Sequence, residues 1–269
     1  MKKKIYCVIL CFLVLSIAIQ LIPIVSSFYV KHVQTVEVEN FEENKVRVTN
    51  SEYEKAMFYN EQIYKQGQTN ISDIWTDPIY NGAPGMVIGH IEIPKLEVDI
   101  PLYWNASYDN LSKGAAVVAG TSYPIGGMNT NCVIAAHRGG IHGELLFRDI
   151  EKLEFGDKIF IHNLWDTLTY IVQKKIVIEP SDIDAVRILP GEDMVTLFSC
   201  HPYGLDTQRF VVYGVRDGEK TNDLPDGMKY ESSEKRISFD KQIQKGSIYV
   251  TCMFAIVLLI KLFLSHRES

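Results

Sequence analysis

The sequence is poor in cysteine and holds no compact set of metal-binding residues. Of its five cysteines, Cys7, Cys11 and Cys252 fall within long apolar runs near the chain ends, which leaves Cys132 and Cys200 between them. No C-x-x-C or H-x-x-x-H pair is present, whereas a zinc site needs three or four closely organised ligands. The sequence therefore predicts no metal site. Cys200 is open to two interpretations, a disulfide with Cys132 or a reactive thiol.

Basic residues are fewer than acidic ones, 27 against 33. The formal net charge is −6 and no basic cluster occurs in the middle of the chain, which argues against a nucleic-acid partner. Internal repeats and low-complexity tracts are absent. The chain has 269 residues, 46% of them hydrophobic, which is enough for one sizeable core.

The first long apolar run follows lysines at positions 2–4 and extends without charge over residues 5–30. A signal-peptide core usually has ~7–15 apolar residues, whereas a membrane span needs ~20. Residues 1–31 are therefore predicted to be an uncleaved membrane anchor. A signal sequence cleaved near residues 26–27 is the alternative.

The second long apolar run covers residues 246–264 and holds one charge, Lys261, near its far edge. It shows no polar face, which argues against a buried core helix, so residues 246–269 are predicted to be a transmembrane helix and a short tail. Basic residues flank each run on the side of the nearer terminus, so both termini are predicted to be cytoplasmic. The domain between the two spans would then lie outside the cell membrane.

Between these runs, short segments rich in Val, Ile, Tyr and Phe are separated by Gly, Pro, Asn and Asp. Residues 86–217 hold eight such segments, with room for brief helical insertions. The segments read MVIGHIEIP, LEVDIPLY, GAAVVAGT, NCVIAAH, DKIFIHN, TLTYIVQKKIVIEP, DMVTLFSC and RFVVYGVR. Because long helices between strands are absent, a βαβ fold is disfavoured. We predict a mainly β domain, a closed eight-stranded barrel with short helices.

Two segments flank the predicted barrel. Residues 32–85 are predicted to hold a helix over 50–67, where Ser51 and Glu54 form a capping box, and then an ordered loop. Residues 218–245 are highly charged and are predicted to be a solvated stalk that leads to the second apolar run.

The most informative stretch for chemistry is VTLFSCHPYGLDTQRF, residues 195–210. Side chains alternate along a strand, so His201 should face away from Cys200 and is a poor candidate for its base. If the strands on either side of HPYGLDTQ pair as a hairpin, Arg209 stands across from Cys200. A guanidinium there would favour the thiolate and could hold an oxygen on which negative charge develops.

A nucleophilic thiol also needs an acid–base partner. His137 is the first candidate, because it ends the strand NCVIAAH and enters the Gly-rich turn RGGIHG, the same kind of position that Cys200 occupies. His142, in the same turn, is the second. The other histidines outside the apolar runs remain weaker candidates: His32, His90, His162 and His201.

These residues resemble the sortase signature, in which a T-L-x-T-C strand end is followed by an arginine at the start of the next strand. The P-Y-G after the cysteine, together with GTSYPIGGMNT and AAHRG before it, narrows the resemblance to the class C sortases, which build pili. The segment IEIPKLEVDIPLY is similar to the first strands of that family, and the resemblance covers residues 50–216 and the two apolar ends. It implies a sortase-type barrel that needs no cofactor. It also implies that Cys200 is the nucleophile, His137 the acid–base partner and Arg209 the stabiliser of the oxyanion or substrate.

The chain departs from the class C pattern at several positions near these residues, and none of the departures removes a catalytic group. Ala136 replaces a glycine, Ser199 and His201 each replace a threonine, Asp206 replaces an asparagine and Gln208 replaces a histidine. His201 and Asp206 are the two departures expected to alter charge beside the substrate groove.

Class C sortases also carry an N-terminal lid, in which an Asp-Pro-aromatic motif covers the active site. Asp77, Pro78 and Ile79 lie in the matching region, although the third residue is not aromatic. The resemblance implies a lid in which Trp75 or Tyr80 takes over the aromatic role. A simple Asp-Pro turn is the alternative.

The resemblance implies a membrane-anchored cysteine transpeptidase. It would cleave an L-P-x-T-G-like sorting signal of a secreted pilin or surface protein through a thioester and transfer the acyl group to a pilin lysine, which polymerises pili. The alternative within the family is transfer to a peptidoglycan-precursor amine, which anchors surface proteins to the wall. An alternative from another class is a non-catalytic membrane-anchored binding module with a Cys132–Cys200 disulfide.

Overall fold

The computed structural model describes residues 2–45, 50–68, 85–139, 146–221 and 223–267. The helices are α1 (Lys2–Glu43), α2 (Asn50–Lys65), α3 (Tyr108–Leu111) and α4 (Glu234–Arg267). The strands are β1 (Val87–Ile93), β2 (Val98–Trp104), β3 (Ala115–Val117), β4 (Thr130–Ala135), β5 (Lys158–Asn163), β6 (Thr167–Ile178), β7 (Asp193–His201) and β8 (Gln208–Arg216). Short 3-10 helices cover Pro94–Leu96, Ile150–Lys152 and Ile183–Val186.

The strands close into a barrel in the order β1-β2-β3-β4-β7-β8-β6-β5. β2 pairs with β3, and β4 with β7, in parallel, and the other neighbours are antiparallel. The prediction of a closed eight-stranded barrel with short helices is therefore confirmed for the described residues. The parallel pairing of β4 with β7 matters most for function, because it brings together two strands that lie far apart in the sequence.

The core fills the inside of this barrel, and strand alternation selects the residues that enter it. On β5, Ile159 and Ile161 are buried while Lys158 is exposed, as period-two alternation requires. Large aromatic side chains complete the core, among them the buried Phe147 and Phe210. Phe210 directly follows Arg209 on β8, so the end of the barrel that holds Arg209 is anchored by a core side chain.

The two terminal helices α1 and α4 are each long and apolar enough to cross a membrane, which is consistent with membrane anchoring. They lie side by side, since Gln20 Nε2 donates a hydrogen bond to Thr251 Oγ1 at 3.0 Å. α1 continues past the predicted anchor to Glu43, and its last turns contact the barrel, where Gln34 Nε2 donates to the Lys113 carbonyl at 2.8 Å.

The charged segment after β8 differs from the solvated stalk that its composition indicates. Lys174 of β6 forms an ion pair with Asp226 at 2.7 Å, and the Met228 amide donates to the Val177 carbonyl at 2.9 Å. Residues 223–233 therefore contact the barrel before α4 begins at Glu234. Composition alone is a poor guide here, because a polar segment can add backbone hydrogen bonds to a strand without burying apolar side chains.

Candidate active site

Cys200 lies at the end of β7, and the hairpin formed by β7 and β8 places Arg209 directly opposite it. In this antiparallel pair Cys200 is in register with Arg209 and His201 with Gln208, which confirms the predicted hairpin. Both Cys200 and Arg209 are half-buried. The thiol and the guanidinium therefore belong to neighbouring residues at one open end of the barrel.

The loop of the hairpin also supports Arg209. Its Nη1 donates to the carbonyl of Asp206 at 3.0 Å and to that of Gln208 at 2.9 Å. Asp206 has a φ of 57°, a left-handed conformation that Asn and Asp tolerate better than most residues. Aspartate at the usual asparagine position therefore keeps the loop geometry that presents Arg209.

His137 reaches the same end of the barrel by way of β4. Ala135 is in register with Phe198 across the parallel β4–β7 pair. Two further residues along each of the two segments bring His137 level with Cys200. The pairing persists beyond Ala135, because Ser199 Oγ donates to the Ala136 carbonyl at 2.7 Å. Serine at the usual threonine position thus retains a hydroxyl that ties the histidine segment to the cysteine strand.

The environment of Cys200 favours the neutral thiol. Burial raises the pKa of Cys200 above its ordinary value, and the carboxylate of Asp206 adds to this. The positive charges of Arg209 and Arg138 act in the opposite direction but do not cancel the effect of burial. The thiol is therefore protonated at neutral pH, and attack on a carbonyl carbon requires a nearby base to accept its proton.

The disulfide alternative does not agree with the structure. Cys132 and Cys200 are both free cysteines. Cys132 is buried on β4 in register with Val195, five residues before Cys200, which is roughly 16 Å at ~3.3 Å per residue, whereas bridged Cα atoms lie within ~7 Å. Burial also raises the pKa of the Cys132 thiol far above its ordinary value, so this cysteine is an inert core residue.

His201 points away from the open end, as strand alternation predicts. Its side chain is 1% exposed and lies against the rings of Phe210 and Tyr230, with ring centroids 5.7 Å and 5.5 Å away. Burial lowers its pKa below the ordinary value; the charge of Arg138 adds to this, and Glu151 opposes it. The histidine adjacent to Cys200 in the sequence is therefore buried on the opposite face of β7.

Comparisons with known proteins agree with this geometry. A family model described as "Sortase domain" matches residues 91–217. Among solved structures, sortase C of Clostridium perfringens with the C-terminal cell wall sorting motif is 34% identical, with a TM-score of 0.60, over 69% of this chain and 100% of that chain. The chain belongs to the sortase family of cysteine transpeptidases.

Other similar proteins are described as sortase C and as sortase A. The structure described as pilus-related sortase C of group B Streptococcus is 30% identical, with a TM-score of 0.57, over 66% of this chain and 96% of that chain. Among curated proteins, sortase A of Bacillus anthracis is 31% identical over 134 residues. This match covers 50% of the chain and 61% of that protein, so the sortase spans less than two thirds of this curated relative.

Sequence reasoning missed two charged residues beneath the site of this sortase. Arg138 and Glu151 form an ion pair at 2.8 Å with side chains only 2% and 4% exposed. Arg138 Nη1 also donates to the carbonyl of Cys200 at 3.3 Å. The only available signal was that Arg138 follows His137 directly, and an arginine entering a Gly-rich turn is ordinarily a surface residue.

Several predicted site residues lie outside the described residues of the sortase. These are His142 and the lid residues Trp75, Asp77, Pro78, Ile79 and Tyr80. Their roles remain predictions.

One cluster of potential metal ligands occurs among the described residues, on the side of the barrel opposite β7. Glu42 of α1, His90 of β1 and His162 of β5 bring one side-chain donor atom each within 4.8 Å of one another. The two imidazole rings are stacked, with centroids 4.1 Å apart and planes within 4° of parallel. Their in-plane lone pairs therefore do not converge on one ion. The cluster is a hydrogen-bonded contact between α1 and the barrel, with His90 Nδ1 2.7 Å from Asp99 and His90 Nε2 3.3 Å from Glu42.

Proposed function

We propose that this sortase polymerises pilin subunits, with Cys200 as nucleophile, His137 as acid–base partner and Arg209 as stabiliser of the oxyanion or substrate. The observation that supports the proposal is the register of three adjacent strands, β4, β7 and β8, which sets Arg209 opposite Cys200 and brings the position of His137 level with Cys200. All three residues are half-buried, so part of each remains accessible to a bound peptide.

The proposed chemistry balances with no added cofactor. The Cys200 thiol gives its proton to the His137 imidazole, and the sulfur attacks the carbonyl carbon of an L-P-x-T-G-like sorting signal. The imidazolium then protonates the leaving amine as the C–N bond breaks, which leaves a thioester on Cys200. A pilin lysine amine attacks that thioester, its proton passes to His137, and an isopeptide bond forms as the thiol is released.

Pilin polymerisation is favoured over wall anchoring by two observations. The sequence carries the P-Y-G and GTSYPIGG elements that resemble class C sortases, and one structural neighbour is described as pilus-related. We also propose an extracellular catalytic domain with both termini cytoplasmic, from the basic residues that flank the two apolar runs, and secreted pilins as partners, from the family resemblance.

The acceptor decides between the two functions. The full chain in detergent micelles would be mixed with a fluorogenic L-P-x-T-G peptide and either a lysine-bearing pilin domain or a short glycine peptide that stands in for a wall-precursor amine. We expect acyl transfer to the pilin lysine, seen by mass spectrometry as an isopeptide-linked product. Transfer to the glycine peptide alone would replace the pilus function with wall anchoring.

Arg209 is expected to act mainly on the chemical step. Removal of one oxyanion donor usually lowers kcat by about 10²–10³-fold, so Arg209→Ala should lower kcat for peptide cleavage by a similar factor. Arg216→Ala is the matched control, because Arg216 lies on the same strand, seven residues from Arg209. Equal kcat values for the two variants would remove Arg209 from the mechanism.

We propose that the segment containing Asp77 forms a lid over Cys200. If it does, Asp77→Ala should open the site and raise the rate of peptide cleavage, whereas Asp73→Ala in the same segment should not. The initial rate with the fluorogenic peptide is the measurement. An Asp77→Ala rate equal to that of the unchanged chain would argue against the lid.

A further inference from the structure

Arg138 and Glu151 form a buried charged pair directly beneath the Cys200 end of β7. Desolvation makes such a pair a weak source of stability compared with well-packed apolar side chains. A pair that is almost wholly buried therefore calls for a role other than stability, and its contacts indicate which one.

Arg138 joins the two chain segments that carry the proposed catalytic residues. It directly follows His137, and its Nη1 donates to the Cys200 carbonyl at 3.3 Å. Its Nε and Nη2 both donate to the Arg148 carbonyl, at 3.4 Å and 3.2 Å, 10 positions further along the chain. One planar guanidinium thus fixes the backbone on the cysteine side and on the histidine side of the site.

Glu151 connects this guanidinium to the start of α4. Its Oε1 accepts from Arg138, while its Oε2 accepts from Ser232 Oγ at 2.7 Å and from the Ser233 amide at 2.8 Å. Burial raises the pKa of Glu151, but the hydrogen bonds from Ser232 and Arg138 outweigh it and hold the pKa below the ordinary value. The carboxylate is therefore ionised at neutral pH and holds both partners.

Ser233, just before α4, and Arg236, in its first turn, also hold the loop that follows Cys200. The Tyr203 amide donates to Ser233 Oγ at 3.1 Å, and Arg236 Nη1 donates to the Tyr203 carbonyl at 3.1 Å. Both backbone polar groups of Tyr203 are thus bound by Ser233 and Arg236, at the start of the helix that continues into the C-terminal apolar segment.

His201 also contacts the ion pair of Arg138 and Glu151, from the face of β7 opposite Cys200. Its Nδ1 lies 3.4 Å from Arg138 Nη1 and 3.3 Å from Glu151 Oε1. A neutral imidazole can use Nδ1 either to accept from the guanidinium or to donate to the carboxylate, depending on its tautomer, so His201 contacts both members of the ion pair. His201, which replaces the threonine of the class C pattern, therefore has a defined set of contacts in the structure.

From these contacts we infer that Arg138, Glu151 and His201 are positioning residues for Cys200, and that their arrangement is completed by the docking of Ser232, Ser233 and Arg236 at the start of α4. Detachment of this helix end would release the Cys200 loop and lower the rate of thioester formation. The effect on catalysis rests on the proposed function, whereas the effect on the thiol itself does not.

Arg236→Ala is the main test, because Arg236 is exposed and its removal should not unfold the barrel. Lys235→Ala is the matched control, an exposed basic residue one position earlier on the same helix. For the full chain in micelles, we expect Arg236→Ala to lower kcat for peptide cleavage several-fold. We expect Glu151→Gln to lower kcat by about ten- to a hundredfold, the range for a slightly misplaced catalytic group. KM should stay within about twofold for both variants. We also expect both variants to change the alkylation rate of Cys200 by iodoacetamide without substrate, and Lys235→Ala to leave both quantities unchanged.

A second control separates positioning from stability. Thr196→Val removes another buried hydrogen bond between β7 and β4, from Thr196 to Asn131 at 2.8 Å, and should lower the unfolding temperature while leaving kcat and alkylation near the original values. If Arg236→Ala and Glu151→Gln alter kcat and alkylation no more than Lys235→Ala and Thr196→Val do, the positioning role is refuted. If Glu151→Gln does not fold, Arg236→Ala alone decides. A chain that cleaves no peptide contradicts the proposed function, and the alkylation rates still test the positioning role.

Discussion

Replacement of Cys200 by alanine should abolish peptide cleavage and acyl transfer, with a loss of at least roughly 10³-fold, because the thioester cannot form without the sulfur. The measurement is the cleavage rate of the fluorogenic peptide, together with mass spectrometry of the enzyme for a covalent acyl adduct. The half-buried thiol at the open end of β7 is the reason to expect so large an effect.

Cys132→Ala is the matched control for this experiment, since Cys132 is a buried core cysteine that faces no open site. It should retain cleavage even if it unfolds at a lower temperature.

The alkylation rate of Cys200 adds a pH test. Because burial raises the pKa of Cys200, the thiolate fraction is small at neutral pH, so alkylation should keep accelerating as the pH rises past the ordinary thiol range. An adduct that forms on Cys200→Ala, or an alkylation rate that levels off at neutral pH, would contradict this assignment.

Replacement of His137 by alanine should lower kcat by about 10²–10⁴-fold, the usual contribution of a general acid–base group. The effect is expected because a protonated thiol and an amine leaving group both need a proton carrier. His137 reaches the level of Cys200 through the β4–β7 register. The measurement is kcat for peptide cleavage with and without added imidazole, which should partly restore the His137→Ala rate.

His162→Ala is the control for His137→Ala, because His162 lies on β5 across the barrel and its side chain is 20% exposed. Its kcat should equal that of the unchanged chain. His201→Ala supplies the competing outcome. If added imidazole rescued His201→Ala and not His137→Ala, His201 would be the base and the strand-alternation argument would be wrong.

Three of the departures from the class C pattern, Ser199, Asp206 and His201, have structural explanations. Ser199 keeps the hydroxyl that bonds the Ala136 carbonyl, and Asp206 occupies a left-handed conformation that suits aspartate as well as asparagine. His201 is different, because it is enclosed with Arg138 and Glu151 beneath β7. Its contacts there belong to the positioning role that we infer for Arg138 and Glu151.

The sequence by itself determined the parts that depend on local pattern. Short runs rich in Val, Ile, Tyr and Phe between turn-forming residues indicated the eight strands, and the eight residues between Cys200 and Arg209 indicated the hairpin that sets them opposite each other. Alternation also placed His201 on the face away from Cys200. These inferences succeeded because the direction of a strand side chain and the closure of a short loop depend on neighbouring residues.

Only the tertiary structure decided which distant segments meet. The parallel pairing of β4 with β7 aligns His137 with Cys200 and keeps Cys132 too far away for a disulfide. The ion pair of Arg138 with Glu151 and its contact with the start of α4 join residues separated by 13 and 81 positions. No periodicity encodes such contacts, because closure of the barrel and burial of charge are decided by the whole chain.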